Sequence, residues 1–260
     1  MGSVTSIDWY DLPRLYDIVF DVGTAQEADF LEAAAARYGV AGERRALEPA
    51  CGSGRLVGEL ARRGWKVRGF DRNENMLAYA RERLRRQKRR AELVTGDMAR
   101  FEVPQRCDLA HCLVSTFKYL LDEASARAHL ECVAAALVPG GIYVLGVHLT
   151  TYGRLLEERE RWVETRDGVT VTSDMRVGRP SRTTRLEPVR TRLTEVEGRT
   201  TREYESTWDF RTYSAVQLQS LVKSVPALDL VGLHDFDYDL ARKSTWRDGR
   251  LDKLLVLRRR

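Results

Sequence analysis

Two acidic residues and two glycines are spaced as a binding site for a ribose-containing ligand would require. Glu48 lies near the end of a short apolar segment and is followed by a turn that contains Gly52 and Gly54. Glycine allows backbone angles, and a close approach of a ligand, that a side chain would block. Asp71 closes the next apolar segment, 17 residues after Gly54, where a carboxylate can accept hydrogen bonds from both ribose hydroxyls.

This loop differs from two well-known glycine-rich loops. The dinucleotide fingerprint would need a glycine at position 57, which is Val57, and Gly58 comes one place late. A phosphate-binding run of the form Gly-x-x-x-x-Gly-Lys-Ser/Thr does not occur in the sequence. Both differences weaken the prediction of a nicotinamide or nucleoside-triphosphate ligand. A domain whose glycines only turn the chain is the structural alternative.

Short apolar strands alternate with helical stretches on both sides of this loop. The strands are predicted at 46–48, 66–71, 91–97, 108–114 and 141–148, and the helices at 25–38, 55–63, 74–89 and 122–137. A further helix at 214–224 and strands at 228–236 and 251–257 follow near the end of the chain. Such alternation predicts a parallel sheet with right-handed crossovers.

Residues 151–212 have a different pattern, rich in Thr, Arg and Glu. Tyr204, Trp208 and Phe210 share one parity while charged residues occupy the other, as in a half-buried antiparallel strand. We therefore predict three parts: an N-terminal arm with a cofactor-binding Rossmann-like core (1–150), an antiparallel lid insert (151–212), and a C-terminal completion of the core sheet (213–260).

At these residues the chain resembles the class I S-adenosylmethionine-dependent methyltransferases. The similarity spans about 45–149 and resumes over 213–260. It rests on four features: the loop from Glu48 to Gly54, Asp71, Gly96-Asp97 after the third strand, and Leu137-Val138-Pro139-Gly140-Gly141 before the fifth. The resemblance implies a Rossmann-like seven-stranded α/β sheet with helices on both faces, S-adenosylmethionine as the cofactor, and methyltransferase activity.

The resemblance also implies which residues hold the cofactor. In the family the glycine loop lies along the amino-acid part, an acid matching Asp71 holds the ribose, and an acid matching Asp97 or its neighbour contacts the adenine. Where this chain has Ala50 the family often has glycine, which would tighten the loop without abolishing binding. The predicted cofactor-binding residues are Tyr16, Glu48, Ala50, Gly52, Gly54, Asp71, Arg72, Met76, Asp97, Met98 and Leu113.

An aromatic arm at residues 8–20 precedes the core. Its Tyr10 and Tyr16 resemble the Tyr-Asp segments that cover the cofactor in similar methyltransferases, and ordinary packing is the alternative. Related small-molecule methyltransferases also carry an antiparallel insert after the fifth strand and use it as a lid over the acceptor. This resemblance implies a small-molecule acceptor, methylated on oxygen or nitrogen.

His148 is the candidate catalytic base, because it closes the fifth strand and ligands of open parallel sheets gather at strand ends. A structural histidine is the alternative reading of this residue.

Two other functions stay open. The net charge of +5 and the basic run at 81–90 would suit an RNA or protein methyltransferase, although a solvated helix face accounts for the same residues. The Asn/Asp-Pro-Pro-aromatic run of enzymes that methylate adenine is absent after the fourth strand, and no proline precedes Cys112 as a pyrimidine-methylating thiol would require. The second alternative is a protein that binds the cofactor without catalysis.

Cysteine usage and hydropathy bear on location. The four cysteines have no C-x-x-C spacing and are too few for a disulfide framework in 260 residues, so we expect reduced thiols in a cytoplasmic protein. No apolar run approaches the ~18 to 20 residues of a membrane helix, and a membrane partner is not expected. No metal site is predicted. The oligomeric state is left open, with a homodimer among the options.

Overall fold

A computed structural model describes residues 4–39, 41–153 and 158–260. Residues 1–3 and 40 of the predicted first part and 154–157 of the predicted insert lie outside the described residues. The helices described are α1 (Pro13–Phe20), α2 (Thr24–Tyr38), α3 (Arg55–Arg62), α4 (Glu74–Arg86), α5 (Glu123–Ala136) and α6 (Ala215–Lys223). The strands described are β1 (Thr5–Ser6), β2 (Arg45–Pro49), β3 (Lys66–Asp71), β4 (Glu92–Thr95), β5 (Cys107–Cys112), β6 (Leu137–His148), β7 (Glu158–Arg166), β8 (Val169–Val177), β9 (Leu186–Glu197), β10 (Thr200–Arg211), β11 (Leu228–His234) and β12 (Asp252–Arg259).

A seven-stranded sheet forms the core of the molecule, in the order β11-β12-β6-β5-β2-β3-β4. Strands β6, β5, β2, β3 and β4 run parallel, and β12 is antiparallel to both β6 and β11. The predicted seven-stranded α/β sheet is thereby confirmed. Because β2 has β3 on one side and β5 on the other, the strand order reverses at β2. A crevice opens at the carboxyl ends of the strands at such a point.

Helices cover both faces of the core sheet. Leu56 and Leu60 of α3 pack with Phe30 of α2 on one face, while Leu130 of α5 and Leu218 of α6 pack on the other. The central strand β6 is buried along most of its length for this reason. Strands that are covered on both faces have continuous apolar sequences, whereas strands with one solvated face alternate apolar and polar residues.

The insert forms a second sheet, in the order β1-β10-β9-β8-β7. Strands β7 to β10 are antiparallel neighbours, whereas β1 is parallel to β10, with Thr5 opposite Tyr204. The parity of Tyr204, Trp208 and Phe210 predicted the antiparallel strands. Strand β1 has two residues, too few to show any periodic pattern, and it was missed.

The N-terminal arm lies between the insert and the core. Trp9 stacks on Trp208 of β10 with ring centroids 5.2 Å apart. Leu15 and Ile18 of α1 are buried in one cluster with Val171 of β8. The apolar face of the insert is therefore covered largely by the arm.

Two further observations concern the helices and the cysteines. Within the described ranges, no helix is long and apolar enough to span a membrane. All four cysteines are free thiols.

Candidate active site

The loop between β2 and α3 turns through left-handed backbone conformations. Gly52 has φ +51° and Gly54 has φ +70°. A Cβ built on Gly52 would have only Tyr16 Cε1 within contact range, at 4.0 Å, so this backbone faces open space. Ala50 also has a positive φ, +53°, which glycine adopts with less strain. That conformation explains why a glycine is common at this position in the family the chain resembles.

Gly54 is expected to be intolerant of a side chain. A Cβ on Gly54 would lie 2.8 Å from the Ala80 Cβ on α4. The substituted residue would also have to adopt the φ of +70° that Gly54 has. We expect Gly54→Ala to lower the free energy of unfolding by roughly 1 to 3 kcal/mol, because backbone strain and overpacking act together. Urea unfolding measures the change. Gly64→Ala is the matched control, since Gly64 also has a positive φ, +87°, but no atom within 4 Å of its Cβ position. Equal losses in the two variants would show that packing against Ala80 contributes nothing.

Asp71 is fixed by the backbone at the end of β3. Its Oδ2 accepts a hydrogen bond from the Gly52 N–H at 2.8 Å, and its Oδ1 accepts one from the Asn73 N–H at 2.8 Å. Burial raises the pKa of Asp71 above its ordinary value, and these two N–H groups oppose the shift. Each carboxylate oxygen has a second lone pair. The carboxylate is therefore oriented and still able to accept hydrogen bonds from two hydroxyls.

A cavity of about 330 Å³ opens beside this loop, at the strand ends where the topology places a crevice. Seven of the predicted cofactor-binding residues line it: Tyr16, Ala50, Gly52, Asp71, Arg72, Asp97 and Met98. The remaining lining residues are Asp8, Tyr10, Asn73, Gly96, Ala99, Thr116, Tyr119, Leu120, Leu121, Asp122 and Ser125.

Four predicted cofactor-binding residues lie outside this cavity wall. Gly54 forms the N-terminal cap of α3. Met76 is fully buried on the inner face of α4, and Leu113 is buried in the core cluster that includes α2 and α3. Glu48 lies beneath the loop at the end of β2 and is 9% exposed. Apolar packing accounts for the positions of Met76 and Leu113, and their binding roles stay predictions.

Glu48 and His111 form a buried polar pair beneath the loop. The Glu48 Oε1 and His111 Nδ1 are 3.9 Å apart, and neither Glu48 Oε2 nor either imidazole nitrogen has a hydrogen-bond partner. Burial raises the pKa of Glu48 to about 8; Arg55 opposes the shift, while Glu27 and Asp71 add to it. Burial lowers the pKa of His111 to about 3, so the imidazole is neutral. An unpartnered carboxyl oxygen beside the loop suits a cationic ligand group.

Two tyrosines meet on the wall of the cavity. The Tyr10 hydroxyl donates a hydrogen bond to the Tyr119 hydroxyl oxygen at 2.6 Å. The Tyr119 ring also lies 4.8 Å from the Phe210 ring of the insert, measured between centroids. Burial raises the pKa of both tyrosines above the ordinary value, so neither is a base at neutral pH.

His148 does not line the 330 Å³ cavity. Its Nδ1 lies 2.6 Å from Asp252 Oδ1, and its Nε2 lies 3.6 Å from Glu158 Oε2. It borders a separate cavity of about 30 Å³ together with Glu158 and Glu187. The two cavities are close, because the His148 N–H donates to Ser115 Oγ at 2.9 Å and the next residue, Thr116, lines the larger one.

The insert was predicted as the lid of the ligand cavity, but none of its described residues, 151–153 and 158–212, lines that cavity. The arm occupies that position instead, with Asp8, Tyr10 and Tyr16 on the cavity and Trp9 stacked against the insert. The sequence analysis did not predict that residues around Thr116 and Asp122 line the cavity. The signal that could have found them is their position after β5, where ligands of a parallel sheet gather.

Across residues 4–39, 41–153 and 158–260, no three or more His, Cys, Asp or Glu side chains are grouped to hold an ion.

Residues 46–141 of the chain match the model of a methyltransferase domain. A solved S-adenosylmethionine-dependent methyltransferase from Clostridium acetobutylicum has the same fold, with a TM-score of 0.76 and 17% identity over 96% of this chain and 98% of that one. The predicted class I methyltransferase fold is confirmed by these two matches.

Two curated relatives are more similar in sequence over shorter stretches. A provisionally named methyltransferase of Geobacillus sp. (strain WCH70) is 31% identical over 142 residues, which are 55% of this chain and 56% of the relative. The dTDP-3-amino-3,6-dideoxy-alpha-D-glucopyranose N,N-dimethyltransferase of Streptomyces fradiae is 34% identical over 99 residues, 38% of this chain and 37% of that enzyme. The chain thus matches about half or less of the length of these relatives.

Proposed function

We propose that the protein is a methyltransferase that uses S-adenosylmethionine to methylate an oxygen or nitrogen of a small molecule. The observation that carries the proposal is the 330 Å³ cavity between the Gly52 loop, Asp71 and the Tyr10–Tyr119 pair. Its volume lies within the ~300 to 1,000 Å³ usual for small ligands. The methyltransferase domain at 46–141 supports the same activity.

The residues around the loop fit the proposed cofactor. The Gly52 backbone faces open space that a Cβ would enter, as close contact with a ligand requires. Asp71 would hold the ribose hydroxyls, and Asp97 or Met98 the adenine. Glu48 would serve the ammonium of the methionine part, directly or through its support of the loop. Arg72 and Tyr16 complete the proposed wall. When bound, S-adenosylmethionine supplies a methyl group already activated by its sulfonium.

The protein's own contribution would be to position the acceptor and exclude water. Tyr10, Tyr16 and Tyr119 contribute three aromatic rings to the cavity wall, and Tyr16 lies beside the Gly52 loop. Aligning two reactants in this way can lower a barrier by roughly 7 to 11 kcal/mol. Since both hydroxyls of the Tyr10–Tyr119 pair keep their protons, the acceptor must arrive as a neutral nucleophile or lose its proton to another group.

We propose an amino sugar as the first acceptor class to test, because the Streptomyces fradiae relative is named for methylation of one. We also propose that the chain has three parts, at 1–150, 151–212 and 213–260. The insert then acts as an outer lid that supports the arm. The cytoplasm is the proposed location, in keeping with four free thiols.

The proposal is tested by following S-adenosylhomocysteine formation with the purified protein. The acceptors are a nucleotide-linked amino sugar, the matching sugar with a hydroxyl in place of the amine, bulk RNA and a protein extract. Turnover with either sugar is the expected result. Turnover with RNA or protein alone would overturn the small-molecule assignment, and tight cofactor binding without transfer to any acceptor would indicate a binding protein.

We propose that His148 removes a proton from the acceptor, and that Asp252 orients the imidazole. We expect His148→Gln to lower kcat roughly 100-fold or more and to remove one inflection from the pH–rate profile, as loss of a general base does. Asp252→Asn is the companion variant and should lower the rate in the same direction. A wild-type rate and pH profile in His148→Gln would make this histidine structural.

A further inference from the structure

A buried carboxylate on α1 connects elements that are distant in the sequence. Asp17 is 1% exposed and directly follows Tyr16, which lines the cavity. Its Oδ1 accepts a hydrogen bond from Ser53 Oγ at 2.7 Å, and its Oδ2 accepts one from the Tyr79 hydroxyl of α4 at 2.9 Å. The Arg83 guanidinium of α4 also pairs with Oδ2.

Ser53 brings the glycine loop into this cluster. It lies between Gly52 and Gly54, is 1% exposed, and does not line the cavity. Its hydroxyl has one hydrogen, which it donates to Asp17. The side chain therefore fixes the loop from behind while the adjacent Gly52 backbone faces the ligand space.

Arg166 brings the insert into the same cluster. It is the last residue of β7, and it donates to Asp17 Oδ2 at 2.6 Å, to Asp21 Oδ2 at 3.2 Å and to the Tyr79 hydroxyl at 3.3 Å. Its side chain is 32% exposed, and it does not line the 330 Å³ cavity. The Asp17 carboxylate thus links Arg166, at the end of β7, to Ser53 of the glycine loop.

We propose that Arg166 is a positioning residue, which acts through Asp17 and Ser53 to hold the glycine loop in its ligand-binding conformation. The identity of the ligand in this proposal rests on the function proposed above. Docking of the insert and binding at the loop then favour each other, because such coupling is reciprocal. Arg83 still pairs with Asp17 and Asp21 when Arg166 is removed, so the fold should survive the substitution.

The first test needs no ligand. We expect Arg166→Met to increase hydrogen exchange of the amides in residues 50–56 by about fivefold or more, the lower end of measured coupling effects. Arg14→Met is the matched control, because Arg14 also joins α1 to the insert, at 3.5 Å from Glu197, but does not reach Ser53. Wild-type exchange in Arg166→Met, or the same increase in Arg14→Met, would overturn the proposal. If Arg166→Met does not fold, Arg166→Gln takes its place.

The second test measures S-adenosylhomocysteine affinity by calorimetry. We expect Arg166→Met to raise the Kd about fivefold or more, Arg166→Lys to recover part of the loss, and Arg14→Met to bind as wild type. The Ser53→Ala/Arg166→Met double variant should bind no more weakly than the weaker single variant, since both act by one route. Additive losses would contradict that route. If the wild-type protein does not bind, the proposed cofactor is wrong, and hydrogen exchange still decides whether Arg166 positions the loop.

Discussion

Asp71→Ala is expected to weaken S-adenosylhomocysteine binding about 100-fold. A hydrogen bond to a charged group contributes roughly 1.5 to 3 kcal/mol, and two ribose hydroxyls would lose such a partner. The same substitution removes the acceptor of the Gly52 and Asn73 N–H groups, both 2.8 Å from the carboxylate. Loop order is therefore lost together with direct contacts. Isothermal titration calorimetry on the folded variant measures the effect.

Asp11→Ala provides the control for this experiment. Asp11 is an exposed acid that accepts a hydrogen bond from Asn73 Nδ2 at 3.0 Å, but it does not line the cavity. Its loss should leave the Kd within about twofold of wild type, as expected for an exposed hydrogen bond. Undiminished binding by a folded Asp71→Ala protein would place the ribose elsewhere.

Asp17→Asn is expected to cost about 3 to 5 kcal/mol of unfolding free energy. Removing one partner of a buried ion pair is strongly destabilising, and Arg83, whose side chain is 7% exposed, would keep only the more exposed Asp21 as an ionic partner. The measurement is equilibrium unfolding in urea at neutral pH. Asp21→Asn is the control, because Asp21 pairs with the same arginines but its side chain is 37% exposed, and its loss should cost less than ~1 kcal/mol.

The same carboxylate gives stability a dependence on pH. Burial acts to raise the pKa of Asp17, but Arg83, Ser53 and Arg166 outweigh it and the pKa is lowered. Because the pKa is lower in the folded state than in the unfolded chain, protonation favours unfolding. The stability that the Asp17 carboxylate contributes is fully present above about pH 4, the ordinary pKa of an aspartate. This stability is lost as the pH falls through the lowered pKa of Asp17 in the folded state. Wild-type stability should fall more steeply on acidification than that of Asp17→Asn, and parallel curves would assign the acid sensitivity to other groups.

The core sheet was predictable because its strands and helices repeat a local pattern. Strand β6 shows it, since Ile142, Tyr143, Val144 and Leu145 are all fully buried and adjacent in sequence. The glycine loop and Asp71 were predictable for a related reason, as strand ends place them at one edge of the sheet.

The part of the cavity wall that Tyr119 forms was not predictable in the same way. Tyr119 lies in a short 3-10 helix at 116–119, which has no hydrophobic period. The bond between Arg166 and Asp17 joins residues 149 positions apart, and no sequence spacing indicates it. His148 was placed at the correct strand end, but Asp252 of an antiparallel neighbour holds its ring.

The pairing of the arm with β10 has a consequence for the order of folding. The backbone N–H of Trp9 donates to Ser206 Oγ at 3.3 Å, and the two residues are 197 positions apart in the sequence. Neighbouring βαβ units of the core instead join segments that are close in the sequence. Contacts that close long stretches of chain have a high entropic cost and form late. The arm should therefore dock after the core sheet and the insert have formed. Ligand binding would then lag behind core formation during refolding, although the glycine loop itself lies near the start of the chain.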